Sequence, residues 1–345
     1  MSLRHRRGDP LPELAALLRL AGEVERCGRV EVLTEVTDGE RRHPILALHF
    51  GPAARDVPVL LLVGGVHGLE RIGTEVVLAF ATTFCRRLTW DRIAAAALEQ
   101  ARLVVVPLVN PVGMAQRTRA NGRGVDLMRN APDHPEGWAT PLIGGQRLSR
   151  RLPWYRGRAG DAMEPEALAL LDLVEREAFG AELAVVLDVH SGFGLVDRLW
   201  FPYARTRRPL PHLAELYALR RLLDDTLPHH VYHMEPQAQT YTVKGDLWDH
   251  LYDRRVADGT PGALLPLTLE MGSWMWLKKN PRQVLSVLGS FNPVVPHRLR
   301  RTLRRHLLLI DFLHRAVAAH RAWASPSAED RARLARSAFD LWYGP

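Results

Sequence analysis

Short runs of apolar, often β-branched residues alternate along the chain with longer segments of helical periodicity. The amphipathic segments at 71–88, 164–179 and 209–227 are predicted as helices, with two more at 298–320 and 327–342. Strands that are apolar throughout belong to a sheet covered on both faces. We therefore predict an α/β three-layer sandwich, with a twisted, mixed but mostly parallel sheet between helices. The predicted strands are 30–36, 45–50, 57–64, 102–109, 183–190 and 264–272.

The chain is predicted to form one domain across residues 1–345, because its polar residues of interest are spread over most of the predicted sheet. The core of this domain covers 57–275. An amphipathic helix within residues 1–28 and helices within 298–342 are predicted as extensions. Residues 131–161 are rich in Pro, Gly, Trp and Arg and lack periodicity, so we expect a long ordered loop near the site.

The charge balance is basic, with 46 Lys and Arg against 38 Asp and Glu and a net charge of +8. Clusters of arginine could attract acidic ligands, but no zinc-finger, ribonucleoprotein or helix-turn-helix pattern accompanies them. Our interpretation is a solvated basic surface, with nucleic acid not expected as a partner. The apolar runs are too short to span a bilayer, so no membrane partner is expected. Two cysteines, Cys27 and Cys85, make no disulfide framework, and we expect a cytoplasmic location.

Candidate metal ligands follow two of the predicted strands. The stretch VGGVHGLERIG at 63–73 places His67 and Glu70 after one strand, and DVHSGFG places His190 at the end of another. Open α/β sheets collect ligands at the carboxyl ends of their strands. Two histidines and a carboxylate are the three protein ligands that a catalytic zinc uses. Each residue alone is also compatible with an ordinary buried histidine or a loop residue.

A further carboxylate lies in a third strand. Glu270 stands inside the apolar run PLTLEMG, where burial without a partner or a task costs free energy. Hydrolysis at zinc needs a group that takes a proton from water and passes it to the leaving amine, and Glu270 is our candidate. The alternative is a structural ion pair with one of the many arginines.

Six short motifs follow one another in a fixed order, and in them the chain resembles the zinc carboxypeptidase family, typified by the pancreatic carboxypeptidases. The resemblance covers about residues 57–275. It implies the fold of that family, one Zn²⁺ per chain, and hydrolysis of a peptide or amide bond near a free carboxylate. The expected partner is a peptide or a small amide that carries a carboxylate. The motifs are GGVHGLE (64–70), NPVG (110–113), RANGRGVDLMRN (119–130), DVHSGFG (188–194), YTVKGDLWDHLY (241–252) and TLEMG (268–272).

The resemblance assigns the central roles position by position. His67, Glu70 and His190 correspond to the zinc ligands of the family. Glu270 corresponds to its catalytic glutamate, which acts first as general base and then as general acid.

The same resemblance assigns the groups around the metal. Arg119 corresponds to the arginine that stabilises the oxyanion, and Asp126 to the aspartate that orients the first histidine ligand. Arg129 corresponds to the arginine that binds the terminal carboxylate, and Asn130 beside it is predicted to bind substrate. Tyr241 corresponds to the catalytic and substrate-binding tyrosine that closes over the bound substrate.

The chain departs from the family pattern where the substrate carboxylate is held. In DLMRN, Met128 replaces an asparagine that is common in the family, and methionine has no N–H to donate. We therefore expect carboxylate recognition to be weaker or differently built. Asp246 could favour a basic substrate side chain, or it could cap a helix.

Two other functions remain open on sequence alone. One is an N-acyl amino acid amidohydrolase of the succinylglutamate desuccinylase or aspartoacylase type, which shares the H-x-x-E and later histidine. The intact RANGRGVDLMRN and TLEMG motifs favour the peptidase branch. The other is a non-catalytic protein on the same fold that binds anions or nucleic acid through its arginine-rich surface.

Overall fold

An eight-stranded sheet runs through the computed structural model, which describes residues 11–192, 194–324 and 327–344. The strands are β1 (Arg29–Asp38), β2 (Arg41–Phe50), β3 (Val59–Gly64), β4 (Arg102–Val106), β5 (Leu183–Gly192), β6 (Asp197–Phe201), β7 (Tyr232–Pro236) and β8 (Ala263–Gly272). Their order is β1-β2-β4-β3-β5-β8-β6-β7. The pairs β3–β4, β3–β5, β5–β8 and β6–β7 are parallel and the other three are antiparallel, which confirms the predicted mixed, mostly parallel sheet.

Helices cover the sheet in two groups. One group consists of α1, α2, α3 and α10, in which α2 and α10 pack against strands β3 and β5. The other group consists of α5 and α7, which contact each other and pack against β3 and β8. This arrangement confirms the three-layer sandwich. The helices are α1 (Pro12–Val24), α2 (Arg71–Arg87), α3 (Arg92–Gln100), α4 (Pro111–Gln116), α5 (Pro165–Ala178), α6 (Leu213–Thr226), α7 (Leu247–Asp258), α8 (Trp274–Lys279), α9 (Val287–Phe291), α10 (Pro296–Ala318) and α11 (Ala328–Trp342).

The six predicted strands and five predicted helices are present, with small differences at their ends. The strand predicted at 102–109 was too long, because it ends at Val106 before Pro107. Strands β6 and β7 were not predicted, since both are short and carry charged residues. Residues 131–161 contain turns, bends and one bridge pair, as expected of the loop. Residues 1–10 of the predicted N-terminal extension lie outside the described residues, and the extent of the domain stays a prediction.

The centre of the sheet is apolar on both faces, and this burial fixes where the polar strand ends meet. Every residue of β3 is buried, as is every residue of β5 except the last. Because β3, β5 and β8 are parallel neighbours, their carboxyl ends lie side by side at one edge. Within the described residues, no helix combines the length and apolar character that a bilayer crossing requires.

Helix α2, which begins directly after Glu70, packs between the sheet and α10. His314 of α10 is buried and packs edge-on against Phe84 of α2, with ring centroids 5.1 Å apart. Burial lowers the pKa of His314 to about 4, from an ordinary value of 6.5. The folded protein therefore holds this imidazole neutral in acid where the unfolded chain would protonate it.

This buried histidine predicts a loss of stability in acid. As pH falls from 6.5 towards 4, the unfolded chain binds a proton at His314 that the folded chain does not, so the free energy of unfolding decreases. Replacement by leucine (H314L) should remove this contribution, which amounts to at most about 3 kcal/mol. Urea unfolding of both proteins across this pH range measures it. Substitution of the exposed His233 (H233L) is the control, and equal pH dependence in parent and H314L would contradict the account.

Candidate metal centre and active site

A sharp turn after β3 delivers the first two candidate ligands. Gly65 has a φ of +66°, and a Cβ added there would lie 2.4 Å from Thr74 Oγ1. Only glycine fits such a turn without strain. The chain then reaches His67, whose carbonyl accepts a hydrogen bond from the Glu70 backbone N–H at 3.1 Å. Glu70 lies directly before α2, so this tight turn holds both side chains on the same side of the sheet edge.

The third candidate ligand, His190, comes from β5, and its side chain meets the other two. Its Nδ1 atom lies 3.1 Å from His67 Nδ1 and 3.0 Å from Glu70 Oε2. The distance from His67 Nδ1 to Glu70 Oε1 is 2.9 Å. All three residues are buried, and one ligand atom from each falls within 4.8 Å of the others. The predicted convergence of these residues is thus present in the structure.

The outer nitrogens of the two imidazoles each face a carboxylate. His67 Nε2 lies 3.2 Å from Asp126 Oδ1, and His190 Nε2 lies 2.8 Å from Asp188 Oδ2. Trp248 fixes the second carboxylate by donating its indole N–H to Asp188 Oδ2 at 3.0 Å. A carboxylate at Nε2 favours the tautomer that carries its proton there. The lone pair of each Nδ1 is then directed at the centre.

The two Nδ1 atoms and the two Glu70 oxygens are acceptors, and acceptors that converge in this way repel one another unless positive charge lies between them. Burial alone would raise the pKa of Glu70, but the neighbouring His67 and His190 hold it well below its usual range. Burial opposes protonation of His190, yet Asp188 and Glu70 raise its pKa. Tetrahedral zinc, with ligands 2.0–2.2 Å away, keeps its ligand atoms about 3.3 Å apart. The distance between the two Nδ1 atoms, and the distance from each Nδ1 to one of the two Glu70 oxygens, are 2.9–3.1 Å, so a slight outward shift of the side chains would accommodate such an ion.

Arg119 joins this group through two carboxylates. Its Nε donates to Asp126 Oδ2 at 2.8 Å and its Nη1 to Glu70 Oε1 at 3.2 Å. Burial opposes its charge, but Asp126 and Glu70 outweigh that effect and raise the pKa of the guanidinium. A permanent positive charge thus lies beside the convergent acceptors, as the resemblance implied.

Glu270 occupies the neighbouring strand at the same level. It is the register partner of His190 in the parallel pair β5–β8. Its carboxylate fills the space that Gly192 leaves open, because a Cβ at that glycine would lie 2.1 Å from Glu270 Oε1. Burial, together with the negative charge of Glu70, raises the pKa of Glu270 to about 8. A cation at the centre would lower this pKa again.

Arg129 and Tyr241 lie together beside Glu270. Arg129 is buried at the end of a 3₁₀ turn (Leu127–Arg129) and interacts with the Tyr241 hydroxyl. Burial raises the pKa of that hydroxyl, and the two guanidinium groups nearby act against the rise. The Tyr241 ring packs edge-on against Trp200 with centroids 5.7 Å apart. Tyr241 is therefore already directed towards the site.

Asn130 is engaged by the backbone. Its Oδ1 accepts from the Glu164 N–H at 2.6 Å, and its Nδ2 donates to the Arg156 carbonyl at 3.2 Å. These bonds anchor the loop 131–161 next to Arg129. A direct contact of Asn130 with substrate stays a prediction.

Met128, which departs from the family pattern, and Asp246, for which two roles were considered, have clear positions. Met128 is buried among the apolar core residues, so it adds no polar group to the site. Asp246 caps α7, accepting from the backbone N–H groups of Trp248 and Asp249 at 2.9 and 3.0 Å. The helix-cap interpretation of Asp246 is thus confirmed.

The sequence analysis missed two residues that support the site. Asp188 stands two residues before His190, and in a strand that spacing places both side chains on one face. An aspartate inside the apolar run LAVVLDVH was the signal that could have found it. Arg156 is buried and donates to the carbonyls of Arg129 and Ala131 at 2.9 and 3.2 Å. No pattern in the irregular loop indicates that contact.

Comparison with known proteins identifies the family. The family model described as zinc carboxypeptidase matches residues 28–275, which is most of the chain. The chain belongs to the zinc carboxypeptidase family. Carboxypeptidase SOL1 of Arabidopsis thaliana is 29% identical over 112 residues, which cover 32% of this chain and 23% of that protein. Carboxypeptidase D of Anas platyrhynchos is 30% identical over 166 residues, covering 47% and 11%. The matched part thus spans less than a quarter of each of these two relatives.

Solved structures show the same fold at low identity. Bovine thrombin-activatable fibrinolysis inhibitor, solved with a tick carboxypeptidase inhibitor, has a TM-score of 0.62 and 17% identity over 89% of this chain and 96% of its own. Carboxypeptidase A of Helicoverpa armigera has a TM-score of 0.61 and 18% identity, covering 88% of this chain and 71% of its own. This member of the zinc carboxypeptidase family therefore has the fold that its sequence motifs implied.

The geometry predicts that the chain holds about one zinc ion and that both histidines are needed for it. Alanine at either position (H67A or H190A) removes a convergent donor and should reduce zinc to background. Replacement of Asp188 by asparagine (D188N) keeps the ligands and should weaken zinc binding by about 10–100-fold. Elemental analysis after dialysis, with chelator competition for the affinity, measures both effects.

The exposed His233 provides the control, because H233A removes an imidazole on β7, the edge strand that lies three places from β5 in the sheet. Zinc retained in full by H67A and H190A would show that the ion binds elsewhere.

Proposed function

We propose that the chain is a zinc-dependent hydrolase that cleaves a peptide or amide bond near a free carboxylate. The observation that carries this proposal is the position of Glu270. Its carboxylate lies in the gap beside Gly192, facing the same centre as His67, Glu70 and His190. No arginine within the described residues forms a direct ion pair with it. That leaves it available for proton transfer, in contrast to the structural ion pair considered from sequence.

The chain's own groups divide the work of hydrolysis. When bound by His67, Glu70 and His190, zinc would supply Lewis acidity that acidifies water and polarises the scissile carbonyl. Glu270 takes the proton from the attacking water, and the same carboxyl then protonates the leaving nitrogen. A buried carboxyl group that faces the centre suits both steps, since it can hold the proton between them.

Arg119 is positioned to stabilise the negative charge that develops on the carbonyl oxygen. Its contacts with Asp126 and Glu70 fix the guanidinium before substrate arrives. Such a preorganised charge needs little rearrangement during the reaction.

Arg129 is the proposed anchor for the substrate carboxylate, with Tyr241 beside it. Its Nε atom is buried and has no hydrogen-bond partner within the described residues. With Met128 contributing no donor and Asn130 engaged by the backbone, carboxylate binding depends more heavily on this one guanidinium. The same anchor would also hold the carboxylate of an N-acyl amino acid, so the amidohydrolase function is the alternative to be tested.

Replacement of Glu270 by glutamine (E270Q) should lower kcat by about 10²–10⁴-fold, because the amide cannot transfer the proton. Zinc content should stay at the parent level, since Glu270 is not among the convergent ligands. Activity on a peptide with a free C-terminus, together with elemental analysis, tests both expectations. The exposed Glu99 provides the control substitution (E99Q), and an E270Q enzyme as active as the parent would exclude the proposed mechanism.

Replacement of Arg129 by glutamine (R129Q) should remove most of the preference for a free carboxylate. A charge-assisted hydrogen bond contributes about 1.5–3 kcal/mol, so kcat/KM for the free peptide should fall by about 10–100-fold. The amidated peptide should change little. Kinetics on both peptides and on N-acyl amino acids measure this preference, with the exposed Arg123 (R123Q) as control.

The comparison of substrates also separates the candidate functions. Turnover of N-acyl amino acids with no cleavage of peptides would favour the amidohydrolase. Equal activity of the parent on free and amidated peptides would contradict carboxylate recognition by Arg129.

A further inference from the structure

The stretch from residue 271 to residue 310 is basic throughout. It holds no aspartate or glutamate, although the chain as a whole has 38 acidic residues against 46 basic ones. Its eight Lys and Arg residues are Lys278, Lys279, Arg282, Arg298, Arg300, Arg301, Arg304 and Arg305.

Most of these cations are exposed and have no acidic partner. Arg305 pairs with Asp197, and Arg298 donates to backbone carbonyls. Among the described residues, no carboxylate lies within ion-pair distance of the other six, all of which are exposed. Their positive charge is therefore directed at solvent.

Large apolar side chains are exposed between these cations. Leu285 is 87% exposed, Val287 64% and Val284 62%. Trp274 and Met275 at the start of the same segment are also exposed. Clusters of exposed aliphatic residues are uncommon on a free surface and mark a place of interaction. We call residues 274–304 the basic–apolar surface.

The segment is a fixed structure. Arg298 Nη1 donates to the Trp276 carbonyl at 3.1 Å and its Nη2 to the Lys279 carbonyl at 3.2 Å, which ties the start of α10 to α8. Gln283 Nε2 donates to the carbonyls of Gly289 and Asn292 at 2.9 and 3.0 Å. The exposed apolar residues and the lysines are thus held close together, beside the first turns of α10.

The basic–apolar surface also borders the candidate active site. Asn292 accepts from the Ile72 N–H and donates to the Leu69 carbonyl, both at 2.8 Å. The Ser191 hydroxyl, directly after His190, donates to the Phe291 carbonyl at 2.7 Å. A partner on this surface would therefore lie next to the proposed metal centre.

We propose that the basic–apolar surface docks on a membrane that contains anionic lipids. Cations would meet the lipid head groups, while Val284, Leu285 and Val287 would enter the boundary with the acyl chains. A second copy of this chain would bring the same positive charges into contact, which disfavours self-association. Nucleic acid offers negative charge but no apolar layer for exposed leucine and valine. The proposal goes beyond the proposed function, and it differs from the sequence-based expectation of no membrane partner, which excluded only a spanning helix.

The test is co-sedimentation of the zinc-loaded protein with two kinds of vesicle. We expect binding to phosphatidylcholine vesicles that contain phosphatidylglycerol, weakening as salt rises, and little binding to phosphatidylcholine alone. Each cation near an anionic surface contributes about fivefold to binding, so K278E/K279E should weaken it by about 25-fold or more. Replacement of Leu285 by serine (L285S) should weaken binding even though it leaves every charge in place.

Two controls keep the result specific. R41E/R42E makes the same change in net charge at the exposed start of β2, which lies outside the basic–apolar surface and is separated from β8 in the sheet by β4, β3 and β5. It should retain most of the vesicle binding, and zinc content should be unchanged in every variant, so that the outcome is independent of the hydrolase proposal. Equal loss in R41E/R42E and K278E/K279E would overturn the proposal by showing binding through net charge alone. Binding of an RNA or DNA oligonucleotide in place of vesicles, or self-association that L285S abolishes without vesicle binding, would also overturn it.

Discussion

The site depends on one constraint: the Nδ1 atoms of two imidazoles and both oxygens of one carboxylate meet at distances of 2.9–3.1 Å. Two imidazole nitrogens and a carboxylate repel one another in a buried space unless positive charge, from a cation or a bound proton, lies between them. The fold determines that these residues meet, because β3 and β5 are parallel neighbours whose carboxyl ends lie at the same edge of the sheet. Asp126 and Asp188 lie against the outer nitrogens, which directs the Nδ1 lone pairs at the centre, while Arg119 and the Ser191 backbone N–H each donate to one oxygen of Glu70.

The charges around this centre also call for a divalent ion. With the imidazoles neutral, four carboxylates and two guanidinium groups around this centre leave two negative charges among these six groups. A divalent cation would restore neutrality and would lower the pKa of Glu270, which burial and Glu70 raise to about 8 without it. The same ion would thus organise the ligands and set the proton affinity of the proposed base. The groups concerned are Glu70, Asp126, Asp188, Glu270, Arg119 and Arg129.

The sequence was sufficient for the parts of the molecule that depend on regular patterns. Continuous apolar runs predicted β3 and β5, and the polar residues at their ends predicted where His67, Glu70 and His190 would meet. The short strand β6 was missed, because its residues DRLWF lack such a run and its place depends on pairing with β8. Arg156 was missed because its bonds to the Arg129 and Ala131 carbonyls arise from the folding of an irregular loop.

X-ray absorption at the zinc edge of the zinc-loaded protein tests the convergence most directly. The account predicts only nitrogen and oxygen neighbours at about 2.0–2.1 Å, with outer-shell scattering from two imidazoles. The H190A protein, if any zinc remains, should show no more than one imidazole. A zinc shell that contains sulfur, or a parent spectrum without two imidazoles, would contradict the claim that His67, Glu70 and His190 share one ion.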